Sequence, residues 1–476
     1  MDSTRVRSTV QQLWQAEILP SLSEFVAIPA LSPVFDEDWA RSGQLDAAVE
    51  HLRGWLEKRG VPGATAEIVR LPGRSPILLF DVPAIGGGSD EDIDDTVLLY
   101  GHLDKQPPVG GWSEGLGPWT PVVRDGKLFG RGAADDGYAG YAAAAAIEAV
   151  HAAGGRHAHC VVLLETGEES GSVDLPAYLE LLAERLGQVS LVVCLDSGGQ
   201  DYERMWLTTS LRGVVTVTVT VRVLESAQHS GMASGIVPSS FRILRQLLDR
   251  IEDPVTGEVL LPEMHGAVPD ERIAEMRALA AALPGAARAA FPMLAGMVAV
   301  AEDDVELMMN NSWRPTLSVI GAAGLPLPAE AGNVLRPSTT LTLSFRLPPT
   351  ADPETALVAL QRVLTTDVPY GAHVELTRAE TGGGWNAPPT APWLRSTLDT
   401  MSETVFGGNT WQTMRLGGSI PLMGMLAEAY PAAQFVVTGA LGADSNAHVP
   451  DEWLHLAQAE RVTEAVAAIL HAHAHA

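Results

Sequence analysis

The stretch Thr96-Val97-Leu98-Leu99-Tyr100-Gly101-His102-Leu103-Asp104 joins a short apolar run to a histidine and an aspartate. Residues 97–100 are continuously apolar and too few for a helix, which predicts a buried strand. Ligands of open α/β sheets bind beyond the carboxyl ends of the strands. Since side chains alternate along an extended chain, His102 and Asp104 point the same way. A carboxylate beside an imidazole can hold a metal-bound histidine in one tautomer. A loop histidine that is hydrogen-bonded to a nearby aspartate gives the same pattern.

The composition limits the class of protein. A chain of 476 residues is too long for one compact core, so we expect two domains. The net charge of −27 argues against nucleic acid and anionic membranes as partners, because both select basic surfaces. No apolar run has the length of a membrane span, and the N-terminal residues are typical of an amphipathic helix rather than a signal peptide. Cys160 and Cys194 lie inside apolar runs and are expected to be reduced, which favours a cytoplasmic protein.

Carboxylates recur where other predicted elements meet loops. The strand at residues 160–164 precedes Glu168 and Glu169, and the strand at residues 191–195 precedes Asp196. An Asp-Gly hairpin at residues 122–129 leads to Asp135 and Asp136, just before an alanine-rich helix. Because the carboxyl ends of parallel strands share one edge of a sheet, we expect these acids to lie together with His102 and Asp104.

Acids gathered in this way repel each other unless cations balance their charge. Imidazole and carboxylate without thiolate suit a catalytic site for zinc, manganese or cobalt. Two metals about 3.5–4 Å apart that share one carboxylate would explain the number of acids. The sequence therefore predicts two divalent metal ions per chain, with His102 and His448 as their nitrogen ligands.

The sequence pattern changes near residue 212. Strict alternation over residues 214–223 predicts a strand with one solvated face, and it opens a region with its own strands and helices. We expect residues 212–381 to form an inserted, smaller α+β domain. Residues 1–211 and 382–476 are then an α/β domain with a mixed, mostly parallel sheet and helices on both faces.

Seven motifs in this order resemble the di-zinc family that contains carnosinase, cytosolic non-specific dipeptidase, aminoacylase and succinyl-diaminopimelate desuccinylase. They are Gly-His-Leu-Asp at 101–104, Gly-Arg-Gly-Ala-Ala-Asp-Asp at 130–136, Glu-Thr-Gly-Glu-Glu-Ser-Gly-Ser at 165–172, Asp196, His-Ser-Gly at 229–231, Gly-Gly-Ser-Ile-Pro at 417–421 and Asn-Ala-His at 446–448. The resemblance covers nearly the whole chain and is nearest the dipeptidase branch. It implies a zinc-exopeptidase-like fold with an inserted domain.

The resemblance implies a role for each motif residue. Asp135 would bridge the metals and precede a cis peptide bond to Asp136. The other ligands would be His102 and Asp196 on one metal and Glu169 and His448 on the other. Asp104 would orient His102. Glu168 would be the general base, which takes a proton from the metal-bridging water and passes it to the leaving nitrogen.

The resemblance also assigns the inserted domain to a homodimer and to closure over the site. His229 of the partner subunit would stabilise the oxyanion. Asn333, Arg346, Gly418 and Ser419 match positions that hold the carboxylate end of the substrate, a task that suits the fork of arginine.

Two departures from the family pattern affect the expected substrate. Asp-Asp-Lys-Gly is Asp135-Asp136-Gly137-Tyr138 here, and Arg-Glu-Gly-Gly-Ser is Arg415-Leu416-Gly417-Gly418-Ser419. Leu416 removes a charge near the substrate pocket, which puts a preference for a free α-amino group in doubt. We expect hydrolysis of dipeptides or short peptides. The alternatives are an N-acyl amino acid substrate and a non-catalytic metal-binding protein, and the intact Glu168 argues against the second.

Overall fold

The computed structural model describes residues 1–85, 95–289, 291–416 and 421–476. The strands of this part of the chain are β1 (Thr65–Val69), β2 (Ile77–Val82), β3 (Asp95–His102), β4 (Val122–Arg124), β5 (Lys127–Phe129), β6 (His159–Glu165), β7 (Gln188–Cys194), β8 (Trp206–Leu211), β9 (Gly213–Arg222), β10 (Gln228–His229), β11 (Thr316–Ala323), β12 (Val334–Leu335), β13 (Ser338–Leu347), β14 (His373–Gly382), β15 (Trp385–Asn386), β16 (Gln412–Leu416), β17 (Gln434–Val437) and β18 (Trp453–His455).

The α-helices of the same residues are α1 (Ser3–Leu13), α2 (Leu19–Val26), α3 (Trp39–Ser42), α4 (Gln44–Leu56), α5 (Ala139–Ala152), α6 (Leu175–Leu186), α7 (Ser230–Ala233), α8 (Ser240–Leu248), α9 (Asp270–Ala282), α10 (Ala286–Ala289), α11 (Asp304–Ser312), α12 (Pro353–Thr365), α13 (Pro392–Thr404), α14 (Pro421–Ala429) and α15 (Leu456–His473). A π-helical turn links α1 to α2 at Trp14–Ile18, and another at Ala133–Gly137 precedes α5.

Two compact units divide the chain. The first unit contains Met1–Thr209, Ala387–Met414 and Met425–Ala476, and the second contains Ser210–Asn386 and Arg415–Gly424. The first unit is therefore discontinuous in sequence. The predicted boundaries, residues 1–211 with 382–476 and residues 212–381, stay a prediction.

A six-stranded sheet in the order β1-β2-β6-β3-β7-β17 forms the centre of the first unit. β3 runs parallel to both of its neighbours, β6 and β7, and β17 runs parallel to β7. β1 and β2 complete the sheet with antiparallel pairings. Residues 97–100 of β3 are at most 2% exposed, as a run of apolar side chains in a central strand requires. The predicted mixed, mostly parallel sheet is confirmed.

Helix α5 lies against this sheet at close range. Its alanines from Ala139 to Ala149 are buried, and a Cβ on Gly140 would come within 2.7 Å of both Leu164 of β6 and Leu52 of α4. Small side chains therefore allow the close approach, and α15 packs against the same helix. The N-terminus of α5 follows directly on the segment that carries Asp135 and Asp136.

The second unit is built on an antiparallel sheet in the order β11-β13-β9-β14. The alternation predicted for residues 214–223 is present in β9, where Val215, Val217, Val219 and Val221 are fully buried in one core cluster with residues of α8 and α12. The predicted second domain, with its own antiparallel sheet, is therefore confirmed.

Two further sequence expectations concern the cysteines and the membrane. Cys160 and Cys194 are buried and free, as predicted. Among the helices of the described residues, none combines the length and the apolar character that crossing a bilayer requires.

Candidate metal centre

The site begins at the carboxyl end of β3. His102 is the last residue of β3, and the parallel neighbours β6 and β7 end at Glu165 and Cys194, so all three strands deliver their loops to one edge. A Cβ on Gly101 would come within 2.6 Å of Ala139 Cβ and of an Asp136 carboxylate oxygen. Glycine at this position therefore lets residues 135–139 pass directly over the end of β3.

All five predicted metal ligands come together at this edge, with Glu168 among them. Two overlapping groups each offer ligand atoms within 4.8 Å of one another, namely His102 with Glu168 and Asp196, and His102 with Asp135 and Glu169. His448 joins the second group, since its Nε2 lies 3.4 Å from Glu169 Oε2. Glu168 is as close to His102 and Asp196 as a ligand would be, so its role as base rather than ligand stays a prediction from the family resemblance.

Asp135 lies between the two histidines. Its Oδ1 is 3.4 Å from His102 Nε2, and its Oδ2 is 2.9 Å from His448 Nε2. The peptide bond to Asp136 is cis, as the resemblance predicted. A carboxylate whose two oxygens face two different nitrogen donors has the arrangement needed to bridge two cations.

The donor atoms fit divalent cations. Nδ1 of His102 lies 3.0 Å from the backbone carbonyl oxygen of Asp104, and since that oxygen can only accept, Nδ1 carries a proton. Nε2 of the same ring faces Asp135 Oδ1 at 3.4 Å and is buried without a hydrogen-bond partner among the described residues. Oε1 of Glu169 is also buried without a hydrogen-bond partner among the described residues. Buried polar atoms are normally paired, so atoms aimed into one acidic pocket suit a metal ion.

The pKa values of the acids in this cluster also indicate a site for cations. Burial, together with the neighbouring Asp196, raises the pKa of Glu168 well above its usual range. Burial also raises the pKa of Asp196 well above normal, and burial with the charge of Asp135 raises the pKa of Glu169 to about 7. The neighbouring carboxylates raise the pKa values of His102 and His448, so the two imidazoles supply some positive charge, but the pKa values of Glu168, Asp196 and Glu169 stay raised all the same. Divalent cations would supply the positive charge that keeps these acids ionised.

Asp104 has a second task that sequence reasoning missed. Its Oδ1 lies 3.5 Å from His102 Nδ1, which matches the predicted orienting role. The same carboxylate accepts hydrogen bonds from the backbone nitrogens of Glu168 (3.2 Å) and Glu169 (3.0 Å). Asp104 thus also holds the turn that carries the predicted base and a predicted ligand.

Other buried residues that support the site were not predicted. The Lys105 ammonium donates to the backbone carbonyls of Phe25, Val26 and Ile28 at the end of α2. The Tyr138 hydroxyl donates to the carbonyl of Leu195, next to Asp196, at 2.6 Å. Each side chain joins segments far apart in the sequence, so no local pattern signals the contact.

Packing explains why glycine stands at position 137, where the family pattern has lysine. A Cβ there would lie 2.3 Å from Phe25 Cε1 and 2.4 Å from the backbone oxygen of Gly132. No residue larger than glycine fits without a shift of the backbone. The departure therefore follows from how α2 packs on the loop before α5.

The remaining predicted residues lie in the second unit or outside the described residues. β10 pairs with β12, so His229 lies opposite Val334, and the backbone nitrogen of Ser230 donates to the Asn333 carbonyl at 2.9 Å. His229 and Asn333 are therefore neighbours on an exposed ribbon. Arg346 lies on β13, half-buried on the face opposite Phe345. Gly418 and Ser419 lie outside the described residues. The substrate-binding and oxyanion roles stay predictions.

Comparison with known proteins identifies the family. Residues 98–472 match the model of "Peptidase family M20/M25/M40". A cysteinylglycine-S-conjugate dipeptidase of Corynebacterium striatum is 26% identical over 381 residues, which is 79% of this chain and 80% of that protein. The β-Ala-His dipeptidase of Homo sapiens is 29% identical over 269 residues, 54% of this chain and about half (50%) of the human protein. The solved structure of the di-peptidase Dug1p from Saccharomyces cerevisiae has the same fold, with a TM-score of 0.73 at 22% identity over 100% of this chain and 99% of that one.

The chain belongs to this peptidase family, since the family model covers well over half of its length. The predicted family and its placement near the dipeptidase branch are confirmed. The protein is a member of a metallopeptidase family whose curated relatives include dipeptidases, and its first unit contains groups of His, Asp and Glu suited to metal ions.

Proposed function

We propose that this protein hydrolyses the amide bond of dipeptides or short peptides at a pair of divalent metal ions. The observation that carries the proposal is the position of Asp135, whose two oxygens face His102 and His448, beside a second group that contains Glu168. The dipeptidase relatives support the substrate class.

Each predicted ligand has a place in the proposed centre. His102 and Asp196 would hold one cation, Glu169 and His448 would hold the other, and Asp135 would be shared between them. Imidazole and carboxylate donors without thiolate suit zinc, manganese or cobalt in a catalytic site, and the family resemblance favours zinc among them. When bound, such a pair polarises the scissile carbonyl and lowers the pKa of water toward neutrality.

Glu168 moves the proton in the proposed reaction. It takes a proton from the attacking water and gives it to the leaving nitrogen, so that the products are a carboxylic acid and an amine. Asp104 keeps the backbone of Glu168 in place during both steps.

The assignments to the second unit complete the proposal through the family resemblance. They comprise a homodimer, an oxyanion contact from His229 of the partner subunit, and a substrate carboxylate held by Asn333, Arg346, Gly418 and Ser419.

Replacing the base tests the mechanism. Glu168→Gln keeps the shape of the side chain and removes its ability to accept a proton, so we expect kcat for a dipeptide to fall by about 10²- to 10⁴-fold with two metals still bound. Glu180→Gln, on an exposed position of α6, is the control and should retain full activity. A Glu168→Gln protein with both metals and wild-type kcat would contradict the mechanism.

An N-acyl amino acid is the second candidate substrate. Leu416, at the end of β16, stands where the dipeptidase pattern has a glutamate, and it offers no charge to a free α-amino group. Comparing kcat/KM for one dipeptide with that for its N-acetylated form separates the two candidates. If the free dipeptide is ignored and the acetylated form is cleaved, the protein is a deacylase.

A further inference from the structure

Arg131 and Glu452 form a buried ion pair beside the candidate metal centre, and neither belongs to the proposed donor set. Arg131 Nη1 lies 2.6 Å from Glu452 Oε2, and the two residues are 1% and 0% exposed. Charged side chains at this depth are rare unless they are paired and hydrogen-bonded. Both residues lie in the first unit.

The second oxygen of Glu452 holds the loop that ends in Asp135. Oε1 accepts hydrogen bonds from the backbone nitrogens of Gly132 (3.0 Å), Ala134 (3.2 Å) and Asp135 (3.3 Å). Gly132 has a φ of +77°, which turns these amides toward a common point. Successive backbone N–H groups arranged in this way form a cradle for an anion. The last amide of this cradle belongs to the proposed bridging ligand.

Arg131 contacts the loop that carries His448. Its Nη2 donates to the backbone carbonyl of Val449 at 3.2 Å, one residue after His448. Four non-glycine residues of this loop have positive φ values of 59° to 65°, namely Asp444, Asn446, His448 and Asp451. Such conformations persist only where the surroundings hold them, and Arg131 is one of the groups that do so.

Strand pairing brings the two loops together. β18 pairs with β5 so that Trp453 lies opposite Phe129, and the nitrogen of Gly130 donates to the carbonyl of Glu452 at 3.0 Å. The ion pair therefore joins the loop that begins after β5 to the loop that ends before β18. His102 and Asp196, in contrast, follow from the ends of β3 and β7 in the central sheet.

We propose that the Arg131–Glu452 pair is a positioning clamp that sets Asp135 against His448. It thereby maintains the affinity of the metal position held by Asp135, Glu169 and His448, more than that of the position completed by His102 and Asp196. The inference rests on the proposed function for the identity of the two metal positions. The contacts of the clamp with the backbone do not depend on that assignment.

Zinc titration of the full chain in buffers of fixed free zinc tests the proposal. Glu452→Gln keeps the shape of the side chain but presents one accepting oxygen instead of two. We expect wild type to bind two zinc ions and the variant to bind one of them about 10- to 100-fold more weakly, with a clearly smaller loss of affinity for the other. Backbone amides 132–135 should also exchange with deuterium faster in the variant.

Asp81→Asn is the matched control. Asp81 forms a partly buried ion pair with Arg185 at 2.7 Å in the same unit, and its other hydrogen-bond partner is His159. This variant should bind both zinc ions like wild type. If it loses zinc as Glu452→Gln does, the effect is general destabilisation and the clamp is wrong. Equal weakening of both zinc ions in Glu452→Gln, or no weakening, also contradicts the proposal.

Arg131→Lys covers the case in which Glu452→Gln does not fold. Lysine keeps the charge, but a single ammonium does not reproduce the guanidinium fork that spans Glu452 and the Val449 carbonyl. We expect faster exchange in residues 446–451 and weaker binding of one zinc ion, and a folded variant with neither change overturns the clamp. A wild-type chain that binds no zinc contradicts the proposed function instead, and amide exchange at 132–135 still decides whether the clamp holds Asp135.

Discussion

The backbone nitrogen of Glu169 donates a 3.0 Å hydrogen bond to the carboxylate of Asp104. Through this bond and its partner from Glu168, the strand end that carries His102 is joined to the turn after β6. Leaving a buried amide without its acceptor lowers the stability of the fold by about 1–3 kcal/mol. Without the carboxylate, the turn would therefore rearrange rather than leave both amides unpaired.

Asp104→Ala should therefore lower kcat/KM by about 10- to 100-fold and weaken metal binding, because the proposed base and a proposed ligand both move. Steady-state kinetics and metal content measure the two effects. Asp174→Ala is the control, since Asp174 accepts a comparable hydrogen bond from the backbone of Ser75 at 2.9 Å without touching a predicted ligand. Wild-type kinetics in Asp104→Ala would show that the turn holds its shape without the carboxylate.

Removing the metals should destabilise the fold. Without cations, buried carboxyls such as Asp196 and Glu168 are left with raised pKa values and close like-charged neighbours. Ligand that binds only the native state adds about 4 kcal/mol at a free concentration of 1,000 Kd. We expect Tm to fall after dialysis against a chelator and to recover on addition of zinc. A Tm that does not respond to zinc would contradict the proposed metal centre.

Gly137→Ala should lower the free energy of unfolding by at least about 1–3 kcal/mol, the usual range for overpacking. The new methyl group meets the backbone oxygen of Gly132 as well as the Phe25 ring. Combining it with Phe25→Ala should therefore not restore stability. Gly60→Ala is the control, because a Cβ at Gly60 meets nothing within 4 Å. Urea denaturation compares the variants, and equal stability of Gly137→Ala and Gly60→Ala would show that the loop before α5 yields easily.

His157 should make the folded state less stable at acid pH. Burial lowers its pKa from 6.5 to about 4, and its Nδ1 donates to the Ala158 carbonyl at 2.7 Å. Between these two pH values the unfolded chain binds a proton that the native state does not, so stability falls as the pH drops from about 6.5 to 4. The full effect is about 3 kcal/mol, at 1.36 kcal/mol for each pH unit.

His157→Asn removes this titration and should flatten the decline in stability between pH 7 and 4.5. Asparagine retains a donor near the position of Nδ1. Urea midpoints measured at both pH values give the comparison, and parallel profiles for the variant and wild type would assign the acid sensitivity to other groups.

The sequence predicted the parts of the site that follow from strand order. The apolar run before His102 predicted a central strand, and strands before Glu168 and Asp196 predicted loops at the same edge. Parallel pairing then places those loops together whatever the exact packing, so the fold and the gathering of acids could be anticipated. The roles within the cluster came from the family resemblance, because spacing alone does not separate a ligand from a base.

The contacts that position these residues could not be predicted. Glu452 lies 317 residues from Asp135, and nothing near either residue signals their hydrogen bond. Likewise, glycine at position 137 is in sequence only a departure from the family pattern, whereas the packing of Phe25 and the Gly132 carbonyl explains it. Such relations depend on the side-chain packing of distant segments, which periodicity does not encode.

The discontinuity of the first unit has a consequence for biosynthesis. Residues 1–209 are synthesised before β17 and α15, which follow the second unit in the chain. His448 and Glu452 also follow it. Until then, β7 has no β17 to pair with, and Asp135 has no contact with His448. The proposed metal centre therefore cannot be complete until the second unit has been translated, and domains generally fold as units during synthesis.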